Sequence, residues 1–346
     1  MLRRSLAVLL TVIAVLAAGW LALRRGDIPY EVLEAAYASP QSRYMTLENG
    51  LKVHYRDQGS PDGPVLVMVH GFSSSLHTWE AWVDRLSDDY RLISIDLPGH
   101  GLSRVLADDP PSISAFVDTV DEATARLEAE TFTLAGNSMG GATAWNFALV
   151  HPDRLDGLVL VAASGWPDEA DDDDSPLIFR LLANPIARTV MKDLDMTTLV
   201  RNGLEDSYVD QSFVTDELVE RYVALSRAPG HRDAILALSN ARSERPVATA
   251  EALSTIEIPT LILQGAEDNL VPARHAQLFA DAIPGAELKL YPNVGHLPQE
   301  EIADQTAADL TAFLERHAAA EGAPELVEAP AESEFETGAA PGGGRR

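Results

Sequence analysis

A serine between glycines is the feature of this 346-residue chain that most directly suggests chemistry. Ser138 lies in the segment Gly-Asn-Ser-Met-Gly-Gly at 136–141, directly after the apolar run 132–135. This order is typical of a strand that turns sharply into a helix, with glycines placed where a Cβ would clash with neighbouring backbone. Such a turn would present the Ser138 hydroxyl for nucleophilic attack, so we predict covalent catalysis by this residue.

Two downstream loops supply the partners that a serine nucleophile needs. A base must accept the hydroxyl proton, and a carboxylate must orient that base. His296 follows the predicted strand 287–291, and Asp268 follows the predicted strand 260–264. We therefore expect a catalytic triad of Ser138, Asp268 and His296. Three other acids that follow predicted strands compete with Asp268 for the orienting role: Glu267, Asp168 and Glu169.

A loop ahead of the serine is predicted to stabilise the negative charge that forms when a carbonyl is attacked. The loop His70-Gly71-Phe72 follows the apolar run 65–69 and can offer the backbone amide of Phe72. Met139, the residue after the nucleophile, can offer a second amide. We therefore predict an oxyanion hole formed by Phe72 and Met139, with His70 and Gly71 as its supporting loop.

Short apolar runs recur along the chain and predict the strands that must position these residues. The runs alternate with helix-like segments and lack strict polar alternation, as expected for strands that are covered on both faces. We therefore predict an α/β fold with a mostly parallel central sheet flanked by helices. The turn at 96–101 contains Asp96 and His100, which we expect to stabilise it. The predicted strands are 51–56, 65–69, 92–96, 132–135, 158–162, 260–264 and 287–291.

The alternation of strands and helices breaks between residues 166 and 246. Helical and loop-like segments there, such as 216–228, predict an inserted helical cap over the strand ends, where ligands of open α/β sheets bind. An acidic run at 171–174 is expected to be a solvated loop within this cap. The predicted parts of the chain are an anchor at 1–25, a stalk at 26–45, a core at 46–165 and 247–318, the cap at 166–246, and a disordered acidic tail at 319–346.

The N-terminal segment predicts a membrane anchor. Two arginines precede an uncharged, mostly apolar run at 5–23, and two more follow it at 24–25. A helix of this length spans about 30 Å, the thickness of the hydrocarbon core of a bilayer. We expect a single-pass transmembrane helix in the cytoplasmic (inner) membrane, with the catalytic domain on the outer, periplasmic face. A signal peptide cleaved near 17–19 is the alternative.

Composition removes several other classes of function. The chain has 26 basic and 53 acidic residues and a net charge of −27, which would repel nucleic acid. It contains no cysteine, so thiol catalysis, disulfides and thiolate metal sites are excluded. We expect no cofactor, no metal and no nucleic-acid partner, and the oligomeric state stays open.

Taken together, the motifs resemble those of the α/β-hydrolase fold superfamily over roughly residues 46–318. The segment around Ser138 is similar to that of carbon–carbon bond hydrolases, which cleave ring-fission dienones known as meta-cleavage products. The N-terminal helix together with the serine motif is similar to membrane-anchored monoacylglycerol lipases and bacterial esterases. The resemblance rests on His70-Gly71-Phe72, Asp96-Leu97-Pro98-Gly99-His100-Gly101, Gly136-Asn137-Ser138-Met139-Gly140-Gly141, Asp268 and Gly295-His296.

These observations predict a serine hydrolase that cleaves lipophilic or acylglycerol-like carboxylic esters through an acyl-enzyme. A small-molecule ester is the expected partner, together with the membrane through the N-terminal helix. The alternatives are hydrolysis of a carbon–carbon bond in a ring-fission dienone and a non-catalytic binding module of the same fold. Three arginines of the predicted cap could pair with a substrate carboxylate or lie at the surface: Arg180, Arg188 and Arg201.

Overall fold

An eight-stranded sheet forms the centre of the computed structural model, which describes residues 2–106, 110–167, 192–240 and 245–321. The strands are β1 Ser42–Thr46, β2 Lys52–Gly59, β3 Val65–Val69, β4 Arg91–Ile95, β5 Phe132–Asn137, β6 Leu155–Val161, β7 Thr260–Gly265 and β8 Glu287–Tyr291. Their order across the sheet is β1-β2-β4-β3-β5-β6-β7-β8. The pairs from β4 to β8 are parallel, whereas β2 is antiparallel to both β1 and β4. The predicted mostly parallel α/β sheet is therefore confirmed.

Helices cover both faces of this sheet. Those of the described residues are α1 Leu2–Leu23, α2 Tyr30–Tyr37, α3 Glu80–Leu86, α4 Ile113–Arg126, α5 Met139–Val150, α6 Thr197–Ser207, α7 Asp216–Ser226, α8 His231–Asn240, α9 Ala250–Leu253, α10 Ala273–Ala282, α11 Pro298–Glu301 and α12 Ala303–Glu321. One face packs against α4, α5 and α10, and the other packs against α3 and α12.

The central strands are apolar without alternation because each of their side chains faces a packed layer. In β3, Val67 and Val69 join the core on the α5 side, and Leu66 and Met68 join the core on the α12 side. All six residues of β5 are buried. Burying this apolar surface on both faces is the main favourable contribution to folding, at about 25 cal/mol per Å². The seven predicted strands correspond to β2 through β8.

The first strand follows a pattern that the prediction did not include. β1 has the sequence Ser-Arg-Tyr-Met-Thr, in which polar residues predominate, and it pairs with β2 at the edge of the sheet. An edge strand keeps one side open to solvent and needs no continuous apolar run. β1 begins inside the predicted stalk at 26–45, which also contains α2. Leu33 of α2 is buried against Leu102 and Leu225, so this segment packs on the rest of the protein.

The N-terminal segment forms a helix, but the prediction of a membrane anchor is wrong. Among the described residues, no helix, α1 included, combines the length and the apolar character needed to cross a bilayer. The prediction counted uncharged residues, and several in the run 5–23 are polar or small, such as Ser5, Thr11 and Gly19. Such residues add little apolar surface. The inner-membrane localisation is wrong for the same reason, and the membrane loses its basis as a partner.

Part of the predicted cap is described, as the helices α6 to α8 between β6 and β7. The end of α6 contacts the loop that carries His296, because the His296 amide donates to the Ser207 carbonyl at 2.7 Å. Arg201 of α6 pairs with the exposed Asp216 at 2.5 Å, so its charge is engaged at the surface. Several residues singled out in the sequence lie outside the described residues: Asp168, Glu169, the acidic run 171–174, Arg180, Arg188 and the tail at 322–346.

Candidate active site

The backbone turns sharply at Ser138, between β5 and α5. Ser138 has φ 55° and ψ −114°, a conformation that costs a non-glycine residue about 1–3 kcal/mol. Its amide donates to the Val161 carbonyl at 2.9 Å, and its carbonyl accepts from the Ser164 amide at 3.1 Å. A Cβ on Gly136 would collide with the Gly140 carbonyl, which explains why the turn requires glycine. The strained conformation is therefore held by hydrogen bonds to the end of β6 and to the loop that follows it.

His296 and Asp268 are brought together from the loops after β8 and β7. His296 Nδ1 donates to Asp268 Oδ2 at 2.7 Å, and both side chains are buried. The amides of Leu270 and Val271 donate to Asp268 Oδ1 at 2.8 and 2.9 Å. Burial alone would raise the pKa of Asp268, but the imidazole and the amides outweigh it and lower the pKa. The carboxylate is thus kept ionised, as a group that orients an imidazole must be.

Glu267, the neighbouring acid, makes a different contact. Its Oε2 accepts from the Val294 amide at 3.2 Å. Among the described acids that compete for the orienting role, Asp268 is therefore the one that hydrogen-bonds the His296 ring.

The loop of His296 is tied directly to the turn of Ser138. Asn137, the residue before the serine, donates from Nδ2 to the His296 carbonyl at 3.2 Å and to the Val161 carbonyl at 3.3 Å. In the described residues, no hydrogen bond joins the Ser138 hydroxyl to the His296 ring. Catalytic hydrogen bonds are often long in unliganded enzymes and shorten when substrate binds.

The predicted oxyanion loop passes beside Ser138. A Cβ built on Gly71 would lie 3.0 Å from Asn137 Oδ1 and 3.2 Å from Ser138 Cβ, so glycine allows this close approach. Neither the Phe72 amide nor the Met139 amide donates to another group among the described residues. Two backbone donors are thus available next to the serine, as an oxyanion hole requires.

His70 fixes the orientation of this loop. Its Nδ1 donates to the Gly71 carbonyl at 2.8 Å, and its Nε2 accepts from the Leu97 amide at 3.0 Å. Burial lowers the pKa of His70, which keeps the ring neutral and able to make both bonds. The Gly71 carbonyl and the Phe72 N–H belong to one planar trans peptide and point in opposite directions. Holding the carbonyl therefore aims the Phe72 amide away from His70.

The turn at 96–101 is built around the buried carboxylate of Asp96. This group accepts from the amides of Leu76 and Leu102 at 2.7 and 2.8 Å and from His54 Nδ1 at 2.6 Å. His100 donates from Nδ1 to the Pro98 carbonyl at 3.1 Å, and burial lowers the pKa of His100 to about 3. These contacts agree with the stabilising role expected for both residues.

Asp96 also belongs to a second serine–histidine–aspartate chain. His54 Nε2 lies 2.8 Å from Ser42 Oγ, while its Nδ1 contacts Asp96. Ser42 Oγ already accepts from the Ser39 amide at 3.0 Å, and His54 is fully buried. These contacts join the edge strand β1 to the core. The buried imidazole of His54 leaves no open space beside it for a substrate.

Two further contacts were not anticipated from the sequence. Gln264 Nε2 donates to Asp268 Oδ2 at 2.9 Å, the oxygen that also accepts from His296. Tyr222 of α7 forms a hydrogen bond with Ser74 at 3.0 Å, which joins the helical insertion to the loop after Gly71. Neither has a local sequence signal, because each pairing depends on how loops and helices pack.

The chain is similar to known proteins over most of its length. The family model described as alpha/beta hydrolase fold matches residues 64–302. A pimeloyl-[acyl-carrier protein] methyl ester esterase from Nitrosomonas europaea is 30% identical over 253 residues, covering 71% of this chain and 93% of the relative. A 2-hydroxy-6-oxononadienedioate/2-hydroxy-6-oxononatrienedioate hydrolase from Comamonas testosteroni is 29% identical over 279 residues, covering 77% and 93%.

A solved structure extends this similarity to the fold. The meta-cleavage product hydrolase from Pseudomonas fluorescens IP01 superimposes with a TM-score of 0.68 at 26% sequence identity. The match covers 79% of this chain and 97% of that protein. Ester hydrolases and ring-fission hydrolases are therefore both among the similar proteins.

Proposed function

The chain belongs to the α/β hydrolase fold family, and from that premise we propose that it hydrolyses carboxylic esters with Ser138 as nucleophile. The observation that carries the proposal is the 2.7 Å hydrogen bond from His296 to Asp268. The loop of His296 is also hydrogen-bonded to Asn137, the residue before Ser138. A serine on a strained turn, an oriented imidazole and free backbone amides together are what acyl transfer needs.

In the proposed mechanism, His296 removes the proton of Ser138 as the hydroxyl oxygen attacks the ester carbonyl. Asp268 holds the imidazole in position and stabilises its positive charge. The Phe72 and Met139 amides hydrogen-bond the oxyanion, and His296 then protonates the departing alcohol. Water, activated by the same imidazole, attacks the acyl-enzyme and releases the acid and the free serine.

We choose an ester because the serine, the imidazole and the backbone amides support ester hydrolysis without any additional group. The expectation of lipophilic or acylglycerol-like substrates drew on the membrane anchor and loses that support. The similarity to a methyl ester esterase favours ester hydrolysis.

The second candidate is hydrolysis of a carbon–carbon bond in a ring-fission dienone. The similarity to two ring-fission hydrolases favours it. The two reactions share the nucleophile and the base, so they differ in the substrate groups that the rest of the pocket must bind. A non-catalytic role is disfavoured by the strain retained at Ser138, which a mere binding module does not need.

The test is turnover of esters of graded acyl length beside a ring-fission dienone, with Ser138→Ala as the control. We expect ester hydrolysis that the substitution removes, and labelling of Ser138 by a fluorophosphonate. Turnover of the dienone with negligible ester hydrolysis would establish the second candidate. Folded wild-type protein that neither turns over nor is labelled would show that the fold serves binding.

A further inference from the structure

A cavity of about 490 Å³ lies between β2, α2 and α7, and none of the three proposed triad residues lines it. Its walls include Arg56, His77 and Arg221, together with apolar side chains such as Phe213 and Leu218. The proposed acyl transfer makes no use of this space. Guanidinium groups inside a protein cavity are a recurring way to bind carboxylates and phosphates.

Arg56 is nearly fully buried, with 5% of its surface exposed, and it is not fully hydrogen-bonded. Its Nη1 donates to Glu80 at 2.8 Å and its Nη2 donates to His77 Nε2 at 3.1 Å. Its buried Nε has no partner among the described residues. A buried donor without an acceptor is unfavourable, so the protein alone does not fully satisfy this guanidinium.

Arg221 supplies a second unsatisfied guanidinium from the opposite wall. It lies on α7, and its buried Nε has no hydrogen-bond partner in the described part of the chain. No carboxylate of a described residue lies within ion-pair distance of it. Arg201, on the neighbouring helix α6, forms an ion pair with Asp216. The arginines of this insertion therefore differ, and the lack of an ion pair is a feature of Arg221.

The acidic groups nearby do not cancel this charge. Glu80 accepts from Arg56 and balances that guanidinium, and Glu217 lies exposed at the rim, where water screens its charge. Glu300 interacts electrostatically with Arg221, but burial raises the pKa of Glu300, which disfavours its charged form. Burial lowers the pKa of His77 to about 4, so its ring adds no positive charge near neutral pH. Glu220, the neighbour of Arg221 on α7, is exposed like Glu217, so among the described residues Arg221 forms no ion pair and its charge can attract an anion.

We propose that this cavity binds a small molecule with one carboxylate or phosphate group and a short apolar tail. The anionic group accepts from the guanidinium groups of Arg56 and Arg221, and the tail packs against Phe213 and Leu218. Carboxylate and phosphate oxygens share the geometry that matches a guanidinium. The site is separate from Ser138, so the proposal does not depend on the reaction catalysed there.

The test is a titration of the ¹⁵N-labelled full chain with hexanoate and, separately, with hexyl phosphate. Arginine Nε–H resonances report directly on the groups that bind the anion. We expect two of them to shift with a single dissociation constant, and Arg221→Gln to remove one and weaken binding by about tenfold or more. Arg201→Gln is the matched control and should leave the affinity unchanged.

The outcomes separate the sources of the anionic group. Saturable shifts with hexanoate alone identify a carboxylate ligand, and shifts with hexyl phosphate alone identify a phosphate ligand. The proposal is overturned if neither probe shifts two arginine Nε–H resonances, or if Arg221→Gln binds both probes as tightly as the wild type. Arg221→Lys adds a check on geometry, because it keeps the charge and loses the planar donor set.

Discussion

Replacing Gln264 with leucine should reduce catalysis more than it reduces the stability of the fold. The Gln264 side chain is buried, and its Nε2 donates to Asp268 Oδ2 at 2.9 Å and to the Gly265 carbonyl at 3.1 Å. Its Oε1 has no partner among the described residues. Leucine has a similar volume, so the substitution removes the bond to the carboxylate without opening a large cavity.

The two effects on stability have opposite signs. A hydrogen bond to a charged group contributes about 1.5–3 kcal/mol, and an unpaired buried acceptor costs about 1–3 kcal/mol. Gln264→Leu removes both, together with the bond to the Gly265 carbonyl, which contributes about 1 kcal/mol, so the free energy of unfolding should fall by about 1–2 kcal/mol. The effect on catalysis has no such compensation, because Asp268 loses a donor to the oxygen that holds His296. If the full free energy of that hydrogen bond stabilises the transition state, its loss lowers kcat/KM about ten- to hundredfold.

The assay is kcat/KM for an ester whose turnover depends on Ser138, measured beside thermal unfolding. Gln299→Leu is a matched control, because Gln299 is also buried, its Oε1 is also unpartnered among the described residues, and its Nε2 donates to Thr78 instead of Asp268. Wild-type kcat/KM in Gln264→Leu would refute the reasoning, and so would an equal loss in Gln299→Leu.

Three further predictions concern the packing around the site. Gly140→Ala places a Cβ against the Val69 carbonyl and should give little folded protein by circular dichroism, whereas Gly203→Ala, in open space on α6, should stabilise the fold by about 1 kcal/mol or less. Burial alone would raise the pKa of Asp96, but its hydrogen bonds hold the pKa well below the usual range. Its stabilising contribution is therefore present above pH about 4 and is lost as the pH falls, so the difference in unfolding free energy between wild type and Asp96→Asn should shrink on acidification. His70→Leu should lower kcat more than it raises KM, because it frees the amide that faces the oxyanion; an effect on KM alone would contradict this role.

The sequence was informative where structure depends on local pattern. The strands β3 to β7 could be predicted because burial on both faces demands apolar runs, and the turn at Ser138 could be predicted because its glycines are required by close backbone contacts. β1 escaped prediction because an edge strand tolerates polar residues. Counting uncharged residues overstated the apolar character of α1.

Contacts that depend on how loops and helices pack could not be predicted from the sequence. The bond from Gln264 to Asp268 depends on the course of the loop after β7, although the two residues are only four positions apart. Arg56 and Arg221 line one cavity although one lies on a core strand and the other on an inserted helix. Only the packing of α7 over the core brings them to the same space.

The junction between the end of α6 and the loop of His296 limits how this protein can open. The His296 amide donates to the Ser207 carbonyl, and the Glu301 carboxylate bridges the Gly295 amide and the amides of Val209 and Asp210. A movement of α6 at this corner would break these bonds or displace the proposed general base. The corner therefore ties the position of α6 to that of His296.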